Sequence, residues 1–241
     1  MSKTNSIKKK TTGFDILYRS ITALLVIAMY PTFYFANILT FEIAHTDISD
    51  LLGNLGGLIS GEGSAGTTLH TTYDSISLYK LPEFLNLFSG FTNESFDFKA
   101  TILENELYRP VLVFAILIAI ALVIGLVILG FALFSNKIKV ITILSASGFF
   151  CTVASYISFT YFFANKLLSG EITLKQLFNI DGVILSLIID YLGDVTIFAL
   201  DAAFYGVMLL MLAVCLWSIC VMIVNSSEEK EKQMKAMAKK K

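Results

Sequence analysis

The sequence predicts an all-α integral membrane protein: four transmembrane helices with a small outer cap between helices 1 and 2. Three observations carry this. Hydrophobic residues make up 56% of the chain, and the mean hydropathy is +0.73, both above what a soluble domain carries. Residues 111–134 and 140–165 hold no charged side chain. At about 1.5 Å of rise per residue, each run is long enough to cross a hydrocarbon core of about 30 Å. The lysines, finally, are segregated along the chain in a way that fits four crossings.

Residues 1–15 form a polar, basic segment that includes Lys3, Lys8, Lys9 and Lys10. The first span is expected over 16–40. Its apolar run, starting near Ile21, is longer than a signal-peptide core, and no small-residue cleavage pattern follows. Asp15 and Arg19 are four apart and suited to pair on one helical face. Pro31 removes a backbone donor and predicts a kink. Tyr30, Phe33, Tyr34 and Phe35 supply aromatic anchors for the far interface.

Residues 41–109 are the longest segment outside the spans. They contain ten acids and three bases. Leu51, Leu52, Leu55, Leu58 and Ile59 make one apolar cluster. Phe84, Leu87, Phe88 and Phe91 recur at helical spacing after Pro82, a good helix-start residue. The glycine-rich stretch 60–66 reads as a flexible connection between them. A cap of this size has a marginal core, so it is expected to lean on the membrane face or on a partner.

The second span, 110–134, and the third, 140–165, are joined by Ser135-Asn136-Lys137-Ile138-Lys139. So short a link forces an antiparallel hairpin. The third span ends in Tyr156, Phe159, Tyr161, Phe162 and Phe163, as an interfacial aromatic belt does. Residues 166–194 form a second outer segment. Within it, 170–192 reads as an amphipathic interfacial helix, with Leu174, Leu177, Phe178, Ile184, Leu185 and Ile188 on its apolar side. The fourth span is expected over 195–224. The tail, 225–241, pairs Glu228 with Lys232 and Glu231 with Lys235 at helical spacing, and ends in three lysines.

Orientation follows from the bases. The N-terminal lysines, Lys137 and Lys139 of the hairpin, and the tail's six lysines fall on one side of this arrangement. The two segments on the other side hold five bases against fourteen acids. Positive charge is retained on the cytoplasmic side. Both termini are therefore expected in the cytoplasm, with a plasma-membrane location.

Asp190, Asp194, Asp201 and Tyr205 are separated by 4, 7 and 4 residues. On a continuous helix they share one face, and an acid inside the outer boundary is costly unless it meets a partner or water. The functional reading is an outer cation mouth or a proton relay. The structural reading is that Gly193 breaks the helix and Asp201 favours the positive end of the span's first turns. Small residues mark packing seams, because helices in lipid associate by close backbone approach. Ala199, Gly206, Ala213 and Cys220 recur every seven residues on the fourth span. Ser145, Gly148, Thr152 and Ser155 make a narrow face on the third, and Ala121, Gly125 and Ala132 on the second.

His45 and His70 lie in the outer cap without recognisable ligand spacing. Cys151, Cys215 and Cys220 all fall within apolar spans and read as packing residues rather than a disulfide framework. Asn93-Glu94-Ser95 matches the glycosylation sequon. There is no phosphate-binding glycine loop, no nucleophile-and-base set and no metal motif, so neither catalysis nor a cofactor is expected. The expected partners are the bilayer, other membrane proteins or further copies of the chain, and anionic lipid at the basic termini; nucleic acid is not expected. Two functions fit: a non-catalytic subunit or accessory component of a membrane assembly, and a small channel or transporter with an acidic outer mouth.

Overall fold

The computed structural model describes residues 13–46, 69–80, 106–135, 137–173, 176 and 195–238. The described chain is mostly helical, and four of its helices are long and apolar enough to span a membrane. It also contains a three-stranded sheet. The expectation of an all-α chain is corrected to that extent.

Helix α1 is Gly13–Phe35, with Asp15 in its first turn, where a carboxylate complements the helix dipole. The helix runs through Pro31 to Phe35, and Ala36 N still donates to Thr32 O at 3.0 Å. It does not reach residue 40, because strand β1 begins at Asn37 and runs to Thr46. Strand β2 is Leu69–Ser77, followed by a 3-10 turn, Leu78–Lys80. A second 3-10 turn, Glu106–Tyr108, leads into helix α2, Arg109–Phe134. Pro110 sits in the first turn of α2, where no backbone donor is needed.

Helix α3 is Ile138–Phe159. The link before it is short: Ser135 N still bonds Phe131 O, and Lys137 O accepts from Val140 N at the start of α3. A π turn, Thr160–Ala164, and a last α turn, Asn165–Leu168, continue α3. Gly170 ends it with φ of 76°, a conformation that glycine adopts without steric cost. Strand β3 is Val195–Leu200 and helix α4 is Ala202–Ala238. The fourth span was expected to be helical from residue 195, but 195–200 is extended. Of the expected amphipathic helix over 170–192 only residues 170–173 and 176 are described, and the apolar clusters of 51–59 and 84–91 lie outside the described residues.

The sheet order is β2-β1-β3, antiparallel throughout. Phe41 faces Asp74 on one side and Phe198 on the other, and His45 pairs in register with His70. β1 follows α1 and β3 precedes α4, so their pairing brings the C-terminal end of one helix beside the N-terminal start of the other.

Helices α2, α3 and α4 each bury a stripe with steps that alternate between three and four residues. On α2 it is Phe114, Ile118, Ala121, Gly125, Ile128 and Ala132; on α3, Ile141, Ser145, Gly148, Thr152, Ser155 and Phe159. On α4 it is Phe204, Val207, Met211, Val214, Ser218 and Val221. A repeat of about 3.5 residues is the spacing of knobs-into-holes packing. The opposite faces are apolar and exposed, as with Leu209, Leu216 and Ile223 on α4. That pattern suits lipid, which rewards no burial of apolar surface between helices.

The chain forms two compact units, and every long helix contributes to both. One unit draws on Met1–Tyr30, Ile120–Phe150 and Met208–Lys241; the other on Pro31–Ala119 and Cys151–Val207. In the first, the Met211 side chain is fully buried against two glycines. An ideal Cβ on Gly148 would lie 3.0 Å from its Sδ and Cε, and one on Gly125 would lie 3.6 Å from its Cε. The missing side chains of Gly125 and Gly148 make the space that the methionine fills. In the second unit the core is aromatic. Phe198 of β3 stacks on Phe159 at 5.5 Å and meets Phe163 edge-on at 5.9 Å. Phe114 joins Phe159 at 5.1 Å and Phe204 at 5.9 Å.

Candidate functional site

The four residues proposed as an acidic face divide as follows. Asp190 and Asp194 lie outside the described residues. Asp201 and Tyr205 are described, and they occupy the junction between β3 and α4. Because 195–200 is a strand, residues 190 to 205 do not share one continuous helical face.

Asp201 is the N-cap of α4. Its backbone N–H donates to Ile38 O at 2.8 Å, which closes the sheet onto the helix start. Its carbonyl accepts from Phe204 N and Tyr205 N at 3.0 and 3.3 Å. Its carboxylate is engaged at both oxygens: Oδ1 accepts from Ala202 N at 2.6 Å and Oδ2 from the Thr40 hydroxyl at 2.5 Å. An aspartate before an apolar run satisfies orphan N–H groups and favours the positive end of the helix dipole. Thr40 is in position because β1 pairs Leu39 with Leu200 and Thr40 with Ala199. One turn along α4, the Tyr205 ring lies 6.4 Å from Tyr156 and 5.6 Å from Phe204. A carboxylate held in this way, with one hydrogen bond at each oxygen, positions the start of a helix.

The small residues are placed unevenly. Ser145, Gly148, Thr152 and Ser155 are buried on α3. Two of the hydroxyls turn back on their own helix: Ser145 Oγ donates to Thr142 O at 3.0 Å and Ser155 Oγ to Thr152 O at 2.8 Å. Ala121, Gly125 and Ala132 are buried on α2. On the fourth segment, Ala199 and Cys220 are exposed, while Gly206 and Ala213 are half-buried. The buried stripe of α4 begins at Phe204 and runs beside that series.

Several polar residues fasten the structure: Tyr18, Ser158 and Ser218 were not singled out by sequence, while Arg19 and Tyr30 were read there as a partner for Asp15 and as an interfacial anchor. Tyr18 and Ser218 share a buried hydrogen bond of 3.0 Å between α1 and α4. Tyr18 also stacks on Trp217 at 6.5 Å. Tyr30 donates to Leu122 O at 2.9 Å, and Ser158 to Pro110 O at 2.9 Å. Arg19 Nε donates to Ala132 O at 2.6 Å, and its guanidinium also donates to Leu133 O. A cation there meets the last carbonyls of α2 and the negative end of its dipole. The usable signal was the polar side chain itself: an arginine or tyrosine within an apolar span needs a partner. Cys151, Cys215 and Cys220 are free thiols. Among the described residues, no three His, Cys, Asp or Glu side chains come together as metal ligands do.

No protein-family model, no characterised protein and no solved structure matches this chain.

Proposed function

We propose that the chain is a non-catalytic polytopic membrane protein that serves as a subunit or accessory component of a membrane protein assembly. The observation that carries this reading is the use made of polar groups at the helices. Arg19 holds the end of α2, and Asp201 holds the start of α4 with both carboxylate oxygens. Tyr18, Tyr30 and Ser158 each reach across to another helix. These groups fasten elements to one another, as a scaffold requires. A transport pathway needs polar groups left available along a track through the bilayer.

The same reading places both termini in the cytoplasm of a plasma-membrane protein, with anionic lipid at the basic ends. Its support is the distribution of lysines. The pairing of β1 with β3 agrees with it, because it puts the segment after α1 and the segment before α4 at one end. The test is purification through a C-terminal tag in a mild detergent. A membrane protein recovered in fixed ratio supports the proposal. Recovery of homogeneous chain alone, together with ion flux in vesicles, would replace it with the channel reading.

A further inference from the structure

Tyr34 and Phe35 are the last two residues of α1. Tyr79 belongs to the 3-10 turn that follows β2. The three rings form one group. Tyr34 meets Phe35 edge-on at 4.9 Å and Tyr79 at 6.0 Å, and Phe35 lies 6.2 Å from Tyr79. They are nevertheless exposed, by 44% for Tyr34, 67% for Phe35 and 58% for Tyr79. Exposed aromatic rings from two separate segments are a poor arrangement in bulk water. They suit a layer that is apolar on one side and wet on the other, where a tyrosine keeps its ring in lipid and its hydroxyl among headgroups.

The position of the group follows from α1. That helix is long and apolar enough to span a membrane, so its final residues lie where it leaves the hydrocarbon. Tyr79 touches both of them and must share their depth. Its neighbour Lys80 is also exposed, and an ammonium beside an interfacial ring is matched to lipid phosphate. From these placements we propose that Tyr79, with Tyr34 and Phe35, anchors in the phospholipid headgroup layer. The end of the β1–β2 ladder, where Asn37 pairs with Ser77, then rests on the bilayer surface. The lipid surface, continuous with the exposed end of α1, is the occupant of this patch. The proposal rests on reading α1 as a membrane span, and the experiment separates the two.

Single tryptophans at positions 79, 35 and 24 are introduced as Tyr79→Trp, Phe35→Trp and Leu24→Trp in a Trp217→Phe background. Leu24 is 69% exposed within α1 and reports the hydrocarbon. The proteins are reconstituted in phosphatidylcholine vesicles whose lipids are brominated near the headgroup or near the chain end. Tyr79→Trp and Phe35→Trp are expected to be quenched about twofold more by the shallow bromines than by the deep ones, with Leu24→Trp the reverse. If Leu24→Trp follows this pattern while Tyr79→Trp ignores both lipids and is quenched by aqueous iodide, the anchor is wrong and the span stands. Leu24→Trp indifferent to either lipid overturns the span and the anchor together. Should Trp217→Phe lower the yield, the comparison is made in the parent chain with its Trp217 signal subtracted.

Discussion

Thr40 donates its hydroxyl hydrogen to Asp201 at 2.5 Å, and so ties β1 to the first residue before α4. The other carboxylate oxygen caps the helix through Ala202 N. Asp201→Ala removes both interactions. It should cost about 1–2 kcal/mol for the lost cap, with a further contribution from the stranded Thr40 hydroxyl. Asp201→Asn keeps one good acceptor and should cost less than half as much. Thermal melting in one detergent checks the order: wild type, then Asn, then Ala. An alanine variant that melts with wild type would mean that the cap contributes nothing.

Two glycines should respond differently to a single methyl group. A Cβ at Gly206 would come within 2.6 Å of Thr32 Cγ2. Threonine is stiff at χ1, so the helices must shift, and Gly206→Ala should cost about 1–3 kcal/mol. A Cβ at Gly148 meets the far end of Met211 at 3.0 Å, with Ile124 Cγ2 farther off at 3.4 Å. Methionine adapts by rotating about its terminal bonds, so Gly148→Ala should cost less. Thr32→Ala combined with Gly206→Ala should recover part of the loss, read as coupling in a double-mutant cycle. Equal melting losses for the two glycine variants would contradict this difference.

The helical spans were legible because lipid leaves the backbone few choices: helices satisfy their own hydrogen bonds. The strands were not recognised, although part of the signal was present. In β1, Leu39, Phe41 and Ile43 alternate with Thr40, Glu42 and Ala44, a period of two. The alternation follows directly on the apolar run of α1, and the span was carried to residue 40, into the first residues of the strand. For β3, Val195-Thr196-Ile197-Phe198-Ala199-Leu200 is apolar enough to join a helix, and periodicity cannot separate the two in so short a run. What decides is pairing with β1, a contact far away in sequence. Asp201 carried the better local clue, since an aspartate before an apolar run marks a helix start. The sevenfold spacing of Gly206, Ala213 and Cys220 has the period of the packing stripe, but that stripe is carried by Val207, Val214 and Val221.

The orientation is tested by labelling. A cysteine at Ser169, which is exposed after α3, should react with an impermeant thiol reagent on intact cells. A cysteine at Asn136, in the link between α2 and α3, should react only after the cells are opened. The background replaces Cys220, the exposed one of the three native thiols, with serine. Equal labelling at both positions on intact cells would overturn the assignment of cytoplasmic termini.

The last prediction concerns ion movement past Asp201. The channel reading makes this carboxylate part of a cation mouth, so that Asp201→Asn should abolish flux into reconstituted vesicles while the protein stays folded. The geometry argues for a different outcome. Each carboxylate oxygen already accepts one hydrogen bond, from Thr40 or from Ala202 N, so the group is tied to β1 and to the start of α4. The hydroxyls of Ser145 and Ser155 along α3 are turned back on their own helix, which leaves them poorly placed to replace a cation's water. Little selective flux is therefore expected from wild type, and Asp201→Asn should leave that background unchanged while lowering the melting temperature. Flux and melting measured on the same vesicle preparation separate the roles. A selective cation current that disappears in Asp201→Asn, with melting preserved, would show that the carboxylate serves ions rather than the helix, and would put the channel in place of the scaffold.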